Sequence, residues 1–339
     1  MQIAGQTNVT SIRFGSGSVN GIGKDLGRFV VATMELPWSI TEGKLGADPV
    51  AVLMVESMEQ EFVDQQVASA PPCDTVVGIG GGQAIDLAKY FAWKKGCRLV
   101  TIPTVISVDA FVTPAAAVRQ NHRVLYVGES SPDPLIIDYD LIRTAPSDLN
   151  VAGAGDLLSI HTATFDWEVA HRAGKSEYPY SQDDIQTARA ILETVAENAS
   201  EIRALSDRGL RTIVEGYMRV NTICLPAGHY RVEEGSEHFL FYELEERLKK
   251  PFIHGQIVGL GIYVMSRLQK NRVEWITSLM DELGLRYQPV DMGIPKDAMV
   301  ASLQVLEPFT RKRGLWYSQI QETPLDLAQI EGLLRGLRF

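Results

Sequence analysis

Between Asp74 and Asp86 the chain reads Asp-Thr-Val-Val-Gly-Ile-Gly-Gly-Gly-Gln-Ala-Ile-Asp: a β-branched apolar run, a glycine turn and the first residues of an amphipathic stretch. A strand that passes straight into a helix returns to its sheet by a crossover, so this segment commits its surroundings to parallel pairing. The flanking sequence agrees. Short runs rich in Val and Ile at 29–34, 50–55, 75–79, 98–102 and 135–137, bounded by Gly, Pro or Asp, predict strands. Between them 58–69 and 83–95 predict helices, with Ile85, Ala88 and Phe91 at helical spacing in the second. This alternation predicts a parallel sheet covered on both faces. Residues 124–127, with a partner near 115–118, predict a hairpin outside that order.

From about Asp148 the strand signals stop. Amphipathic stretches at 148–173, 182–204, 207–229, 236–248, 254–270, 272–284, 295–310 and 325–336 predict helices instead. Ser236, followed by Glu237 and His238, reads as a helix cap, and Pro295 as a first helical residue. Pro146, Ser147 and Asp148 mark a boundary. The expected architecture is an α/β nucleotide-binding domain over 1–146 and an all-helical domain over 147–339, with a cleft between them.

A chain of 339 residues has room for two such cores. Its formal net charge of −10 argues against a nucleic-acid-binding surface but leaves room for a small anionic substrate in a locally positive pocket. The longest apolar runs, such as 75–79 and 258–265, are too short to span a bilayer. The opening Met-Gln-Ile-Ala-Gly-Gln-Thr lacks the basic start and apolar stretch of a signal peptide. Cys73, Cys97 and Cys224 form no closely spaced pair, which suits a reducing compartment, and Cys97 is expected to be a buried structural thiol. A cytoplasmic protein is expected, with a small-molecule substrate, further copies of the same chain as partners, no nucleic acid and no membrane insertion.

Three groups of residues carry chemistry. In the glycine turn, Gly80, Gly81 and Gly82 remove side chains where a diphosphate would approach the backbone, and the following helix start offers free amides and a positive dipole end. The segment is not a Gly-x-Gly-x-x-Gly fingerprint, and such turns also serve tight packing. Asp86, one turn into the helix, suits a cap or a cofactor contact equally. In Thr101-Ile-Pro-Thr-Val-Ile-Ser-Val-Asp-Ala-Phe-Val-Thr-Pro114, Thr104, Ser107 and Thr113 bring hydroxyls to the strand's carboxyl edge, where open α/β sheets bind ligands. Asp109 in that loop either satisfies loop amides or contacts a ligand. Further on, Asp156 in Ala-Gly-Ala-Gly-Asp has small neighbours that allow close approach, His238 lies near a helix start in Gly-Ser-Glu-His, and His254 opens a helix after Pro251. Two imidazoles and a carboxylate with an open fourth position suit catalytic zinc and also accommodate ferrous iron. His122, His161, His171 and His229 have no comparable context and read as structural polar residues.

In this order, Gly-Gly-Gly-x-x-x-Asp, Pro-Thr-x-x-Ser-x-Asp, Ala-Gly-x-Gly-Asp, Gly-Ser-Glu-His and His-Gly-x-x-x-Gly resemble the iron-containing alcohol dehydrogenase and dehydroquinate synthase-like superfamily, and within it the sn-glycerol-1-phosphate dehydrogenases. The resemblance spans 70–260 clearly and the remainder loosely. It implies a Rossmann-like first domain and a dehydroquinate synthase-like helical metal-binding domain. It also implies NAD(H) or NADP(H) held by Gly82, Gln83, Ala84, Ile85 and Asp86, by Thr104, Val105, Ile106 and Ser107, and by Thr113. One divalent metal, zinc rather than iron, would be held by Asp156, His238 and His254, with substrate contacts from Asp109 and Asp156. The implied reaction is reversible reduction of dihydroxyacetone phosphate to sn-glycerol 1-phosphate. Glu35, just after a strand, would meet the adenosine ribose and favour NAD.

The chain departs from the family pattern twice. Where the family carries Glu-His-x-x-x-His, with the second His near substrate, this sequence has Glu237-His238-Phe-Leu-Phe-Tyr242. Where it carries Ser-His-Asp-Gly, the chain has Ser107-Val108-Asp109-Ala110. Tyr242 still donates a hydrogen bond and is assigned to substrate, but a neutral phenol cannot supply the positive charge of an imidazolium. Three other readings follow: a polyol or aldehyde dehydrogenase, a cyclase like dehydroquinate synthase, and a binding protein that kept the fold. The cyclases typically place Glu at the Asp156 position and carry a Gly-His-Thr stretch, which this chain lacks.

Overall fold

The computed structural model describes residues 7–120 and 123–339. His122 therefore lies outside the described residues, as does the opening stretch 1–6. The chain forms two compact units, Met1–Asn150 and Val151–Phe339, and the division falls inside the helix Ser147–Leu157.

Eight strands are described in the first unit: β1 (Ile12–Phe14), β2 (Phe29–Thr33), β3 (Ala51–Met54), β4 (Thr75–Gly80), β5 (Arg98–Pro103), β6 (Ala116–Gln120), β7 (Arg123–Val127) and β8 (Pro132–Ile137). Six form one sheet in the order β1-β8-β5-β4-β2-β3, every pairing parallel. β6 and β7 pair antiparallel as a separate hairpin. Alternation along the strands supplies a core on each face. Val30, Ala32 and Val76 pack on one side against Leu87, Phe91 and Val63 of the helices Gly82–Lys95 and Gln60–Ser69. Phe29, Val31, Val77 and Ile79 pack on the other with Val100, Ile102 and Leu141. Because β2 and β4 are buried along their whole length, they read in sequence as continuous apolar runs.

Cys97 is half-buried rather than buried, just before β5, and its thiol is hydrogen-bonded to that of Cys73. Burial, and then the neighbouring Cys73, push Cys97 up to about 12. All three cysteines are free.

The second unit is helical among its described residues, with four corrections to the expected elements and caps. The stretch 148–173 is two helices, Ser147–Leu157 and Ile160–Arg172. The break falls where the Ser159 hydroxyl donates to the Glu233 carbonyl at 2.5 Å instead of staying on its own helix. Likewise 182–204 divides at Asn198 into Gln182–Glu197 and Ala199–Arg203. Ser236 is not a cap: Gly235 occupies that position, and the Ser236 amide donates to Asp166 Oδ2 at 2.8 Å. Pro295 is the cap rather than the first helical residue, which is Lys296. No helix of the described residues is long and apolar enough to cross a membrane.

Candidate functional site

Three helix ends meet in the second unit because glycines allow their backbones to touch. A Cβ on Gly155 would lie 2.4 Å from the Gly255 carbonyl oxygen, and one on Gly255 only 1.7 Å from the Ala152 carbonyl oxygen. One on Gly261 would lie 2.5 Å from the Glu237 carbonyl oxygen. Real Cβ atoms essentially never come inside 3.0 Å of such atoms. Glycine therefore holds the helix His254–Gln269 against both Ser147–Leu157 and Ser236–Leu248. Asp156 is next to last in one helix, His238 third in another and His254 first in the third.

Their ligand atoms converge. His254 Nε2 stands 3.0 Å and His238 Nε2 3.6 Å from Asp156 Oδ1, and the two Nε2 atoms are 3.3 Å apart. Ligands about 2.0–2.2 Å from a tetrahedral ion sit roughly 3.3–3.6 Å from one another. Two of the three separations fall in that range and the His254–Asp156 one is shorter, so a small outward shift of one side chain would seat a zinc-sized divalent cation. Among the described residues it is the one group of three or more His, Cys, Asp or Glu with ligand atoms this close. His238 and Asp156 are nearly enclosed, whereas the His254 side chain keeps 26% exposure, marking the side open to a reactant.

Charge in the site is set by opposition between burial and partners. Burial would raise the Asp156 carboxyl, but His254 and hydrogen bonds from both imidazoles hold it well below the usual carboxylate range. Burial opposes charge on His238, while hydrogen bonds to Asp156 and Glu237 raise it well above its ordinary value. Beside them, burial and then the Glu237 charge push the Asp166 carboxyl up to about 6. The Tyr217 hydroxyl donates to the Gly153 carbonyl at 2.8 Å and lies 3.3 Å from Asp156 Oδ2.

Tyr242, one helical turn beyond His238, has its ring centre 6.3 Å from that imidazole. Its hydroxyl donates to Glu234 Oε1 at 2.5 Å. Of the histidines set aside, His161 bonds through Nε2 to the Asn271 carbonyl, His171 stacks on Tyr180 and His229 packs on Trp167 and Tyr178.

In the first unit the glycine turn ends β4. Gly80 has φ +147°, open to glycine alone without strain, and a Cβ there would lie 2.8 Å from that of Ala84. Gly81 precedes the helix Gly82–Lys95 with no side-chain cap, so the first helical amides, of Gly82 and Gln83, have no acceptor within the helix. The next loop packs on the turn. The Thr104 amide donates to the Gly80 carbonyl, Val105 approaches Gly81, and Val108 lies 3.3 Å from where a Gly82 Cβ would be.

Gly82, Gln83, Asp86, Asp109 and Thr113 line one cavity of about 210 Å³, whose wall the hairpin completes with Arg119, Val124 and Tyr126. Gly80, Gly81, Ala84, Ile85, Thr104, Val105, Ile106 and Ser107 are not in its lining. Ala84 and Ile85 are buried with their amides on the Gly81 carbonyl, and the Ile106 amide is taken by Asn150 Oδ1. Asp109 opens a short 3₁₀ turn whose Val112 and Thr113 amides return to its carbonyl.

Sequence reasoning missed Lys89. Buried in the same cavity, its ammonium lies 2.8 Å from Asp86 Oδ1 and donates to the Ala115 carbonyl at 2.6 Å and the Thr113 carbonyl at 3.3 Å. Asp86 is thus an ion-pair partner and not a cap, and burial raises its carboxyl despite Lys89. The signal available in sequence was the i, i+3 spacing of Asp86 and Lys89 on one helix.

Against known proteins, residues 39–146 match the sequence profile described as iron-containing alcohol dehydrogenase. A glycerol-1-phosphate dehydrogenase (NAD(P)+) of Aeropyrum pernix is 30% identical over 262 residues, covering 77% of this chain and 73% of the relative. One of Hyperthermus butylicus is 32% identical over 260 residues, with 77% and 73% covered. In fold, the chain is similar to a probable glycerol dehydrogenase of Sinorhizobium meliloti, with a TM-score of 0.72, 20% identity and 96% of each chain covered.

Proposed function

This chain belongs to the iron-containing alcohol dehydrogenase family, in its glycerol-1-phosphate dehydrogenase-like branch, and we propose that it is a metal-dependent NAD(P)(H) oxidoreductase that reversibly reduces dihydroxyacetone phosphate to sn-glycerol 1-phosphate. The observation that carries the reading is the convergence of the Asp156, His238 and His254 ligand atoms to within 3.0–3.6 Å of one another, in a chain that also has an uncapped glycine turn on a parallel sheet. When bound, the nicotinamide supplies the hydride and the divalent ion polarises the substrate carbonyl as a Lewis acid.

The residues divide the remaining work. Asp156, His238 and His254 hold the ion; two imidazoles and one carboxylate suit both zinc and ferrous iron, and zinc is our choice because it binds such nitrogen and oxygen sites more tightly than ferrous iron does. The Gly82 and Gln83 amides and the helix dipole receive the dinucleotide diphosphate. Thr104 to Ser107 and Thr113 border the cofactor, and Asp109 and Tyr242 orient substrate hydroxyls. Glu35 opens the helix Glu35–Thr41 directly after β2, suited to a ribose hydroxyl pair and hence to NAD. The three free thiols suit the cytoplasm, and a homo-oligomer is the expected assembly.

One observation favours a second reading, a polyol or aldehyde dehydrogenase acting on an unphosphorylated substrate. The Tyr242 proton is committed to the Glu234 carboxylate, which places negative charge where a phosphate-binding site would want a cation. NADH oxidation with dihydroxyacetone phosphate against dihydroxyacetone separates the two. Preference for the phosphorylated ketone supports the proposal, and equal or slower turnover of it transfers the reading to the second.

A further inference from the structure

An imidazole can ligate through Nε2 only when its proton sits on Nδ1, and the partner of Nδ1 decides where that proton sits. For His238 that partner is Glu237, whose Oε1 lies 2.9 Å from Nδ1. Consecutive residues of a helix point in directions about 100° apart and do not ordinarily face each other. This contact therefore needs an added cause. The cause is the binding of Glu237 itself: its Oε1 also accepts the Gly235 amide at 2.6 Å, and its Oε2 accepts the Thr162 hydroxyl at 2.7 Å. The side chain is fully buried in the first turn of Ser236–Leu248, where the helix dipole favours a carboxylate. Both Glu237 oxygens already accept hydrogen bonds, so in the contact with Oε1 it is Nδ1 that donates. In the neutral ring that ligates a metal, the remaining lone pair is then on Nε2, the nitrogen that faces His254 Nε2 and Asp156 Oδ1.

We propose that Glu237 is a positioning residue for the metal centre: held by Thr162 and the Gly235 amide, it fixes the tautomer and ring orientation of His238, and Thr162 sets the carboxylate's own orientation. The inference rests on the reading of Asp156, His238 and His254 as the ligand set.

The experiment is competition titration of zinc against a chelator for wild type, Glu237→Gln, Thr162→Val and His254→Ala, with melting temperatures of each metal-free chain. Visible spectra of the cobalt(II)-loaded proteins complete it. Gln is nearly isosteric and can still accept the Gly235 amide, so Glu237→Gln is expected to melt close to wild type. It is expected to bind zinc 10–100-fold more weakly and to shift the cobalt bands, which a merely structural carboxylate would leave in place. Zinc affinity within threefold of wild type, with unshifted bands, would overturn the proposal. If Glu237→Gln fails to fold, Thr162→Val decides: weaker zinc binding at an unchanged melting temperature supports the role, and unchanged affinity overturns it. The His254→Ala arm is separate. If it binds zinc as tightly as wild type, the ligand set itself falls, and the Glu237 role with it.

Discussion

Gly255→Ala tests how the site is assembled. The added methyl would lie 1.7 Å from the Ala152 carbonyl oxygen, the atom that the Asp156 amide uses one helical turn later. Moving it out to the 3.0 Å limit of real Cβ contacts requires the helices to part by about 1.3 Å. The two helices carry His254 and Asp156, whose ligand atoms stand 3.0 Å apart. Metal geometry tolerates only about 0.2 Å, so a displacement of this size removes the site while leaving both helices intact. Overpacking of this kind costs about 1–3 kcal/mol, or roughly 2–12 °C in melting temperature for a unit of this size. The assay is zinc content after gel filtration, with melting of the metal-free chain. Gly332→Ala is the control, because a Cβ there meets nothing within 4 Å and the position is helical. Zinc affinity in Gly255→Ala equal to wild type would refute the claim that glycine contacts set the ligand geometry.

Three further outcomes are expected. Gly81→Val puts a branched side chain 3.1 Å or less from Val105, where the diphosphate must approach, so NADH titration should show affinity lowered by at least about tenfold with zinc content unchanged; an unaltered titration would reduce the turn to a packing feature. Tyr242→His should keep or raise kcat/KM for dihydroxyacetone phosphate by restoring a cation beside Glu234, and a loss of about tenfold or more confined to that substrate would refute the assignment. Burial holds His161 down to about 4 against an ordinary 6.5, so the fold favours its neutral form. That stability is complete above about pH 6.5 and is lost as pH falls towards about 4, by up to about 3 kcal/mol. His161→Gln, which can still donate to the Asn271 carbonyl, should flatten the decline in melting temperature between about pH 7 and about pH 4.5. An equal slope in the variant would show that another group governs it.

How legible each feature was follows from how local its cause is. The central strands announce themselves because both faces are buried and the runs are continuously apolar. β1 is three residues at a sheet edge with an Arg in its middle, and nothing local distinguishes it from a loop. The helix Glu35–Thr41 carries Pro37 in its first turn, which reads as a breaker. Asp156, His238 and His254 were identifiable one by one and through the family resemblance. Their convergence depends on helix crossings that Gly155, Gly255 and Gly261 permit, and in sequence these are ordinary glycines. Nothing local in the sequence sets Lys89 or Glu237 apart from other charged residues of amphipathic helices; only tertiary packing shows that both are buried against groups distant in sequence. Ser236 looked like a cap because its type fits, but Asp166 takes its amide from another helix.

The central claim is a single metal at these three side chains that the reaction requires. Zinc should be stripped with a chelator and titrated back while NADH oxidation with dihydroxyacetone phosphate is followed, in wild type and in His254→Ala. The account predicts that stripped wild type is inactive, that activity returns linearly to a break near one zinc per chain, and that His254→Ala recovers none. Activity that survives complete removal of metal, or a His254→Ala titration superimposable on wild type, would contradict it.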